Sequence, residues 1–212
     1  MTGEEIENES FRIIDQEAPV HDFSPEEWQI VRRIIHTTAD FSVIEMIRFS
    51  PDSISSAVHA LRSGRPLYAD SNMIRSGLSI GRLRTAWPNY GPHSIMCYVS
   101  DPEVAREAHQ TGLPRSLYAV RKARVALHAG IAIFGNAPIG LLELNRLIIE
   151  EGIRPSLVVG MPVGFVHVVE SKQELETLDV PYILLSGRRG GSPLAVSIIH
   201  ALCSIATSQR QT

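Results

Sequence analysis

The sequence predicts an α/β fold, a three-layer open, mostly parallel sheet of about five strands with flanking helices and a helical N-terminal segment. Two observations carry this reading. In the first third, apolar residues recur at helical spacing among charged ones. After Gly64 the pattern changes to five short apolar runs alternating with amphipathic stretches. Such runs are the mark of strands buried on both faces and joined by crossover helices. No internal repeat, linker or low-complexity segment interrupts the 212 residues. The chain therefore reads as a single domain over 1–212, with 1–63 as the helical segment and 64–212 as the sheet portion.

The first helix is expected over 4–17, EEIENESFRIIDQE, where Ile6, Phe11, Ile13 and Ile14 sit among charges. Ser24-Pro25-Glu26-Glu27 is a capping box with proline at the first helical position, a strong start signal. Trp28, Val31, Ile34 and Ile35 then recur at helical spacing. A further helix is expected near 52–63, closed by Gly64. Strands are expected at 65–69 (RPLYA), 94–99 (SIMCYV), 130–134 (GIAIF), 155–160 (PSLVVG) and 181–186 (PYILLS). The stretches near 71–79, 115–128, 138–151, 171–178 and 193–207 read as helices, and 85–94 (TAWPNYGPHS) reads as a loop.

A net charge of −3 gives no reason to expect nucleic acid or an anionic membrane as partner. No apolar run approaches the ~20 residues that a membrane span needs. The acidic start MTGEEIENES is unlike a signal or transit peptide, so a cytoplasmic protein is expected. Cys97 and Cys203 lie in apolar surroundings and read as buried thiols rather than a staple. The eight histidines show no HxxxH or HxH spacing, so no metal site is expected.

Chemistry is expected in the loops that follow the strands. These are Asp70-Ser71-Asn72-Met73, Ser100-Asp101-Pro102, Gly135-Asn136-Ala137-Pro138, Gly160 to Phe165 (GMPVGF) and Ser186 to Ser192 (SGRRGGS). In a parallel sheet all five converge on the carboxyl rim, where ligands bind. The last loop joins Arg188 and Arg189 to Gly190, Gly191 and Ser192 just before a helix start, a combination suited to carboxylate or phosphate. Neither the phosphate-loop order nor the dinucleotide fingerprint is present. Arg115-Ser116 opens another helix, where a cation calls for a nearby anion. Met73, Met161 and Phe165 are expected to supply apolar floor.

None of these loops offers an obvious proton donor. His36, in the run IIHTTADF, is the best candidate. It lies about 120° from the middle of the apolar stripe of its helix, at the edge of the buried face. The helix C-terminus and Asp40 one turn on favour its charged form, as a general acid requires. No serine, cysteine or lysine has an activating base beside it in sequence, so covalent catalysis is not expected.

The segments IENESFRIIDQE, RRIIHTTADF, FSPDSISSAV, DSNMIRSGL, FGNAP, GMPVGFVHVVESK and GRRGGSPLA together resemble the precorrin-8X methylmutase family of cobalamin biosynthesis, over nearly the whole chain. The resemblance implies an isomerase that moves a methyl group from C11 to C12 of the corrin ring, with no cofactor. It places the family's catalytic histidine on His36, its substrate-contacting serine on Ser10 and its basic contact on Arg115. It also implies a homodimer with sites near the subunit interface. A corrinoid bears several carboxylates around a flat apolar ring. Asp70, Met73, Arg115, Ser116, Asn136, Gly160, Met161, Gly164, Arg188, Gly190, Gly191 and Ser192 are accordingly expected to contact it. Product hand-off to the next pathway enzyme is a further expectation. Two other readings stay open on the residues alone: a non-catalytic corrinoid carrier, and a nucleotide- or sugar-phosphate-binding α/β enzyme.

Overall fold

The computed structural model describes residues 1–208. Two helices come first, α1 (Gly3–Glu17) and α2 (Pro25–Thr38), each opened by a complete capping box, Thr2 with Glu5 and Ser24 with Glu27. The short α3 (Val43–Met46) runs into β1 (Ile47–Phe49), and α4 (Ser53–Arg62) leads to β2 (Leu67–Ala69). Then come α5 (Asn72–Gly77), α6 (Ile80–Ala86), a 3₁₀ turn at Pro92–Ser94, β3 (Ile95–Met96), α7 (Pro102–Thr111) and α8 (Arg115–Leu127). The chain continues with β4 (Ile131–Phe134), α9 (Pro138–Glu151), β5 (Leu157–Gly160), α10 (Val168–Glu176), β6 (Tyr182–Leu185) and α11 (Ser192–Ser208).

The sheet order is β1-β6-β5-β4-β2-β3, with every neighbouring pair parallel except β1 with β6. The five expected strands are β2 to β6, each shorter than its apolar run. The sixth, β1, lies inside the segment expected to be helical. Only three residues long, with Ile47 buried and Arg48 exposed, it is too brief for its alternation to stand out. The helices α6 and α7 also lie outside the expected set.

Alternate residues of each central strand enter opposite layers. Ile131, Ile133, Leu157, Val159, Ile183 and Leu185 face one core. Ala132, Phe134, Val158 and Leu184 face the other. The first core is built around α11, which packs on α2, α4, α5 and α6 and across β4 and β5. With its own Ala195, Ile198, Ile199, Leu202, Cys203 and Ala206 all buried, α11 is a central helix, as an apolar circumference requires. The second core lies under α8, α9 and α10. Cys203 is buried in the first core, as expected on α11, while Cys97 is only half-buried, 3.6 Å from Asn72 Oδ1. Among the described residues no helix is long and apolar enough to cross a membrane.

The parallel strands wind outward from β2 to β3, then reverse past β2 to β4, β5 and β6. The reversal opens a crevice at the carboxyl ends of β2 and β4, where folds of this winding place ligands.

Candidate active site

That crevice is filled by the protein's own carboxylate. Asp70, directly after β2, is 2 % exposed. Its Oδ2 accepts the backbone N–H groups of Gly135, Asn136 and Ala137 at 3.1, 2.8 and 2.7 Å. These groups precede α9, where unpaired N–H donors and the helix dipole attract an anion. Burial pushes the Asp70 carboxyl above the usual carboxylate range, and the three N–H groups pull the other way. Its Oδ1 has no partner among the described residues. The expectation that Asp70 contacts substrate is therefore corrected: it holds the loop after β4 in place.

The loops after β5 and β6 are laced together. Gly191 N–H donates to Met161 O at 2.8 Å and Gly164 N–H to Arg188 O at 3.2 Å. A Cβ on Gly190 would lie 2.3 Å from Met161 O and 2.6 Å from Pro162 O, so only glycine permits this approach. The N–H groups of Gly164 and Gly191 are thus spent inside the protein rather than turned to a ligand. Met161 is fully buried and does not form the expected apolar floor, and Gly160 packs against Leu184 and Leu175; both belong to the core beneath the rim. Phe165, 83 % exposed, and Met73, 66 % exposed, do present apolar surface. The Arg188 guanidinium lies 5.5 Å from the Phe165 ring centroid.

Sequence reasoning passed over the residue that anchors the last loop. Lys172 on α10 is 1 % exposed, and its Nζ donates to Gly187 O at 2.9 Å and Arg189 O at 2.7 Å. The signal was available: Val168, Ser171, Lys172 and Leu175 share the buried stripe of α10. Burial lowers the Lys172 ammonium to about 8 from an ordinary 10.5. Between these two values the unfolded chain binds more protons than the folded one, so this group's contribution to stability rises with pH there. The stability difference between wild type and Lys172→Met, measured by chemical denaturation at pH 7.5 and pH 10, is expected to shift in favour of wild type at the higher pH.

His36 stands in the last turn of α2, which ends with Ala39 in the left-handed region at φ 52°. Its Nδ1 is 2.7 Å from Ser10 Oγ on α1. Phe11 meets the imidazole edge-on at 5.4 Å and lies under the guanidinium groups of Arg32 and Arg33, at 4.6 and 5.2 Å. Glu7 fixes the same helix pair by accepting from Arg33 at 2.9 Å and from Arg82 of α6 at 3.2 Å. These pairs hold α1 where Ser10 reaches His36. Asp40 does not serve His36 as expected. Its Oδ1 accepts the Ser42 N–H at 2.9 Å and its Oδ2 pairs with Arg189. Arg189 Nη1 also donates to Ser42 Oγ at 2.5 Å, so this cluster ties the end of α2 to the loop after β6.

Two cavities flank His36. One, of about 470 Å³ between α1 and α2, is lined by Ile6, Ile13, Ile35 and Phe41, with Ser10 and His36 at its edge. The other, of about 330 Å³, runs from Thr37 and Arg33 across to Met73, Ser192 and His200. Assuming 100° per residue, Arg33 and Thr37 share one side of α2, Ile35 and Ala39 the other, with His36 between. The remaining expected contacts are at the same rim. Asn136, Arg115 and Arg188 are exposed, and Ser116, half-buried in the first turn of α8, abuts Gly140 of α9. Arg115 has no hydrogen-bond or ion-pair partner among the described residues. Ser192 is 6 % exposed, with its Oγ 3.2 Å from Ser71 Oγ. Ser10 and His36 are thus brought into contact, whereas Arg115 touches neither of them.

The winding and this rim define a doubly wound α/β protein that sets an imidazole between two cavities. Residues 5–205 match the family model for precorrin-8X methylmutase, and the chain belongs to that family. It is 43 % identical to the cobalt-precorrin-8 methylmutase of Leptospira interrogans, across 98 % of this chain and 96 % of the relative. To the cobalt-precorrin-8 methylmutase of Priestia megaterium it is 40 % identical, across 97 % of this chain and 89 % of the relative. The crystal structure of precorrin-8x methyl mutase from Thermus thermophilus superposes with a TM-score of 0.89 at 43 % identity, covering 98 % of each chain. The chain is accordingly a methyl-migrating isomerase of cobalamin biosynthesis.

Proposed function

We propose that this chain moves one methyl group from C11 to C12 of the corrin macrocycle, taking precorrin-8X to hydrogenobyrinic acid or cobalt-precorrin-8 to cobyrinic acid. The observation that carries the reading is the Ser10–His36 pair at 2.7 Å, at the edge of an apolar cavity and joined to the rim loops through Asp40 and Arg189.

As imidazolium, His36 protonates a ring nitrogen. The C11–methyl bond then breaks as the C12–methyl bond forms, and the proton returns to the imidazole as product appears. Ser10 positions the ring for this. With its Oγ accepting from Nδ1–H, the same hydrogen bond persists in both protonation states, and Nε2 is the nitrogen that exchanges its proton. The migration needs no net redox change and no nucleophile. Arg115 and Arg188 hold peripheral carboxylates, with Ser116, Asn136 and Ser192 as neutral donors. The exposed Phe165 and Val166 support a homodimer with its sites near the subunit interface. Hand-off of product to the next pathway enzyme and a cytoplasmic location complete the proposal.

Following the absorption spectrum of precorrin-8X and of cobalt-precorrin-8 with the purified protein tests the reading. Conversion of at least one is expected; conversion of neither would overturn it. Arg188→Ala is expected to weaken product binding by about tenfold, the order of one charge-assisted hydrogen bond on an open rim. An unchanged dissociation constant in an absorbance titration would remove that loop from the site.

A further inference from the structure

The cavity between α2, α5 and α11 is unused by the methyl migration. At about 330 Å³ it is at the lower end of ligand pockets, too small for a macrocycle and roomy for one of its side arms. It opens beside His36: Thr37 lines one wall, and the exposed Met73 and Pro193 line the rim side. Met73, Pro193 and Val196 give it apolar walls. Its polar side chains are Arg33, Thr37, Ser192, Ser197 and His200, of which the Thr37 and Ser197 hydroxyls donate to the Arg33 and Leu194 carbonyls at 2.8 Å. His200 Nε2 accepts the Ser79 backbone N–H at 3.0 Å, which assigns the ring's proton to Nδ1 on its opposite edge. That ring stays neutral, because burial and then the Arg82 and Arg33 charges lower it to about 4. Ser192 Oγ and Ser71 Oγ share one hydrogen bond, which leaves one hydroxyl proton over. The Arg33 guanidinium, ion-paired with Glu7, completes the lining with positive charge. Among the described residues no carboxylate lines it.

We propose that this cavity is the subsite for one carboxylate-bearing arm of the substrate macrocycle, with its methylenes against Met73 and Val196 and its carboxylate on His200 Nδ1–H and the Ser192 hydroxyl. This rests on the corrinoid reading of the neighbouring His36 site. A side arm seated here fixes the macrocycle at a point next to Thr37. The position of the ring over His36 is thereby determined by a pocket on one side, where an open rim of arginines alone would leave it free to slide.

The probe is cobyrinic acid, titrated by absorbance into wild type, Val196→Phe and His200→Gln, with thermal melts of each. Val196→Phe fills the cavity. His200→Gln keeps an acceptor for the Ser79 N–H and removes the imidazole donor. The expected result is a dissociation constant raised tenfold or more by Val196→Phe and about fivefold by His200→Gln, with melting temperatures close to wild type. Wild-type affinity in a folded Val196→Phe protein would overturn the subsite. In that case wild type still converts its corrinoid substrate and only the subsite falls. A wild-type protein that neither binds nor converts a corrinoid would overturn both the subsite and the function it rests on.

Discussion

Asp70→Ala is expected to lower the unfolding free energy by about 3 kcal/mol or more, since it strips a buried acceptor from three N–H groups at once. The cost comes less from the lost bonds than from the donors left behind. Gly135, Asn136 and Ala137 cannot turn to water without opening the crevice between β2 and β4, where Gly135 already packs against the backbone of Ser192. The loop after β4 and the start of α11 would loosen together, so corrinoid binding should fall as well. Asp70→Asn is the control. An amide oxygen in place of Oδ2 preserves the three hydrogen bonds, and burial already favours an uncharged group here. Its effect should be well below that of alanine. The raised carboxyl pKa makes the folded wild type the better proton binder just above the ordinary value of 3.8. Stability should therefore fall as pH rises through that window in wild type relative to Asp70→Asn. Chemical denaturation of the three proteins across pH 4 to 7 checks all of this; equal losses for alanine and asparagine would contradict it.

The parts of this fold that were legible in the sequence are those where local pattern and tertiary environment agree. The capping box at Ser24 sets the start of α2, and the apolar runs at 130–134 and 155–160 become β4 and β5, buried on both faces. β1 was not legible because three residues carry no measurable period, and its pairing with β6 spans more than 130 positions. The site divides in the same way. The resemblance brought Ser10 and His36 together, and the contact between them is real in the structure. Where the expectation used a local rule, long-range packing overrode it. Asp40 is one turn from His36 in sequence, yet Arg189, 149 residues on, claims its carboxylate. The glycines of the rim suggested N–H groups open to a ligand, but Gly164 and Gly191 use theirs to bind one loop to another. A lysine in a helix reads as wet by default, and only the enclosure of Lys172 by α10 and the loop after β6 reveals its two carbonyl partners.

His36→Ala is expected to reduce turnover by about 10²- to 10⁴-fold, the usual worth of a positioned general acid. The fold should survive, since the imidazole is exposed and its one hydrogen bond among the described residues, to Ser10, contributes on the order of 1 kcal/mol. Ser10→Ala should give a smaller loss, because the imidazole remains but is no longer held with Nε2 outward. Corrinoid affinity should change little in either variant, as the proton donor contributes to the transition state more than to the ground state. That separation of binding from turnover also divides an isomerase from a carrier, which would tolerate the loss of His36 without consequence. The most direct test is the single-turnover rate of methyl migration in His36→Ala at saturating substrate, with product affinity measured on the same preparation. A rate at least a hundredfold below wild type with near-wild-type affinity is the predicted result; a rate close to wild type would contradict the assignment of His36 as proton donor.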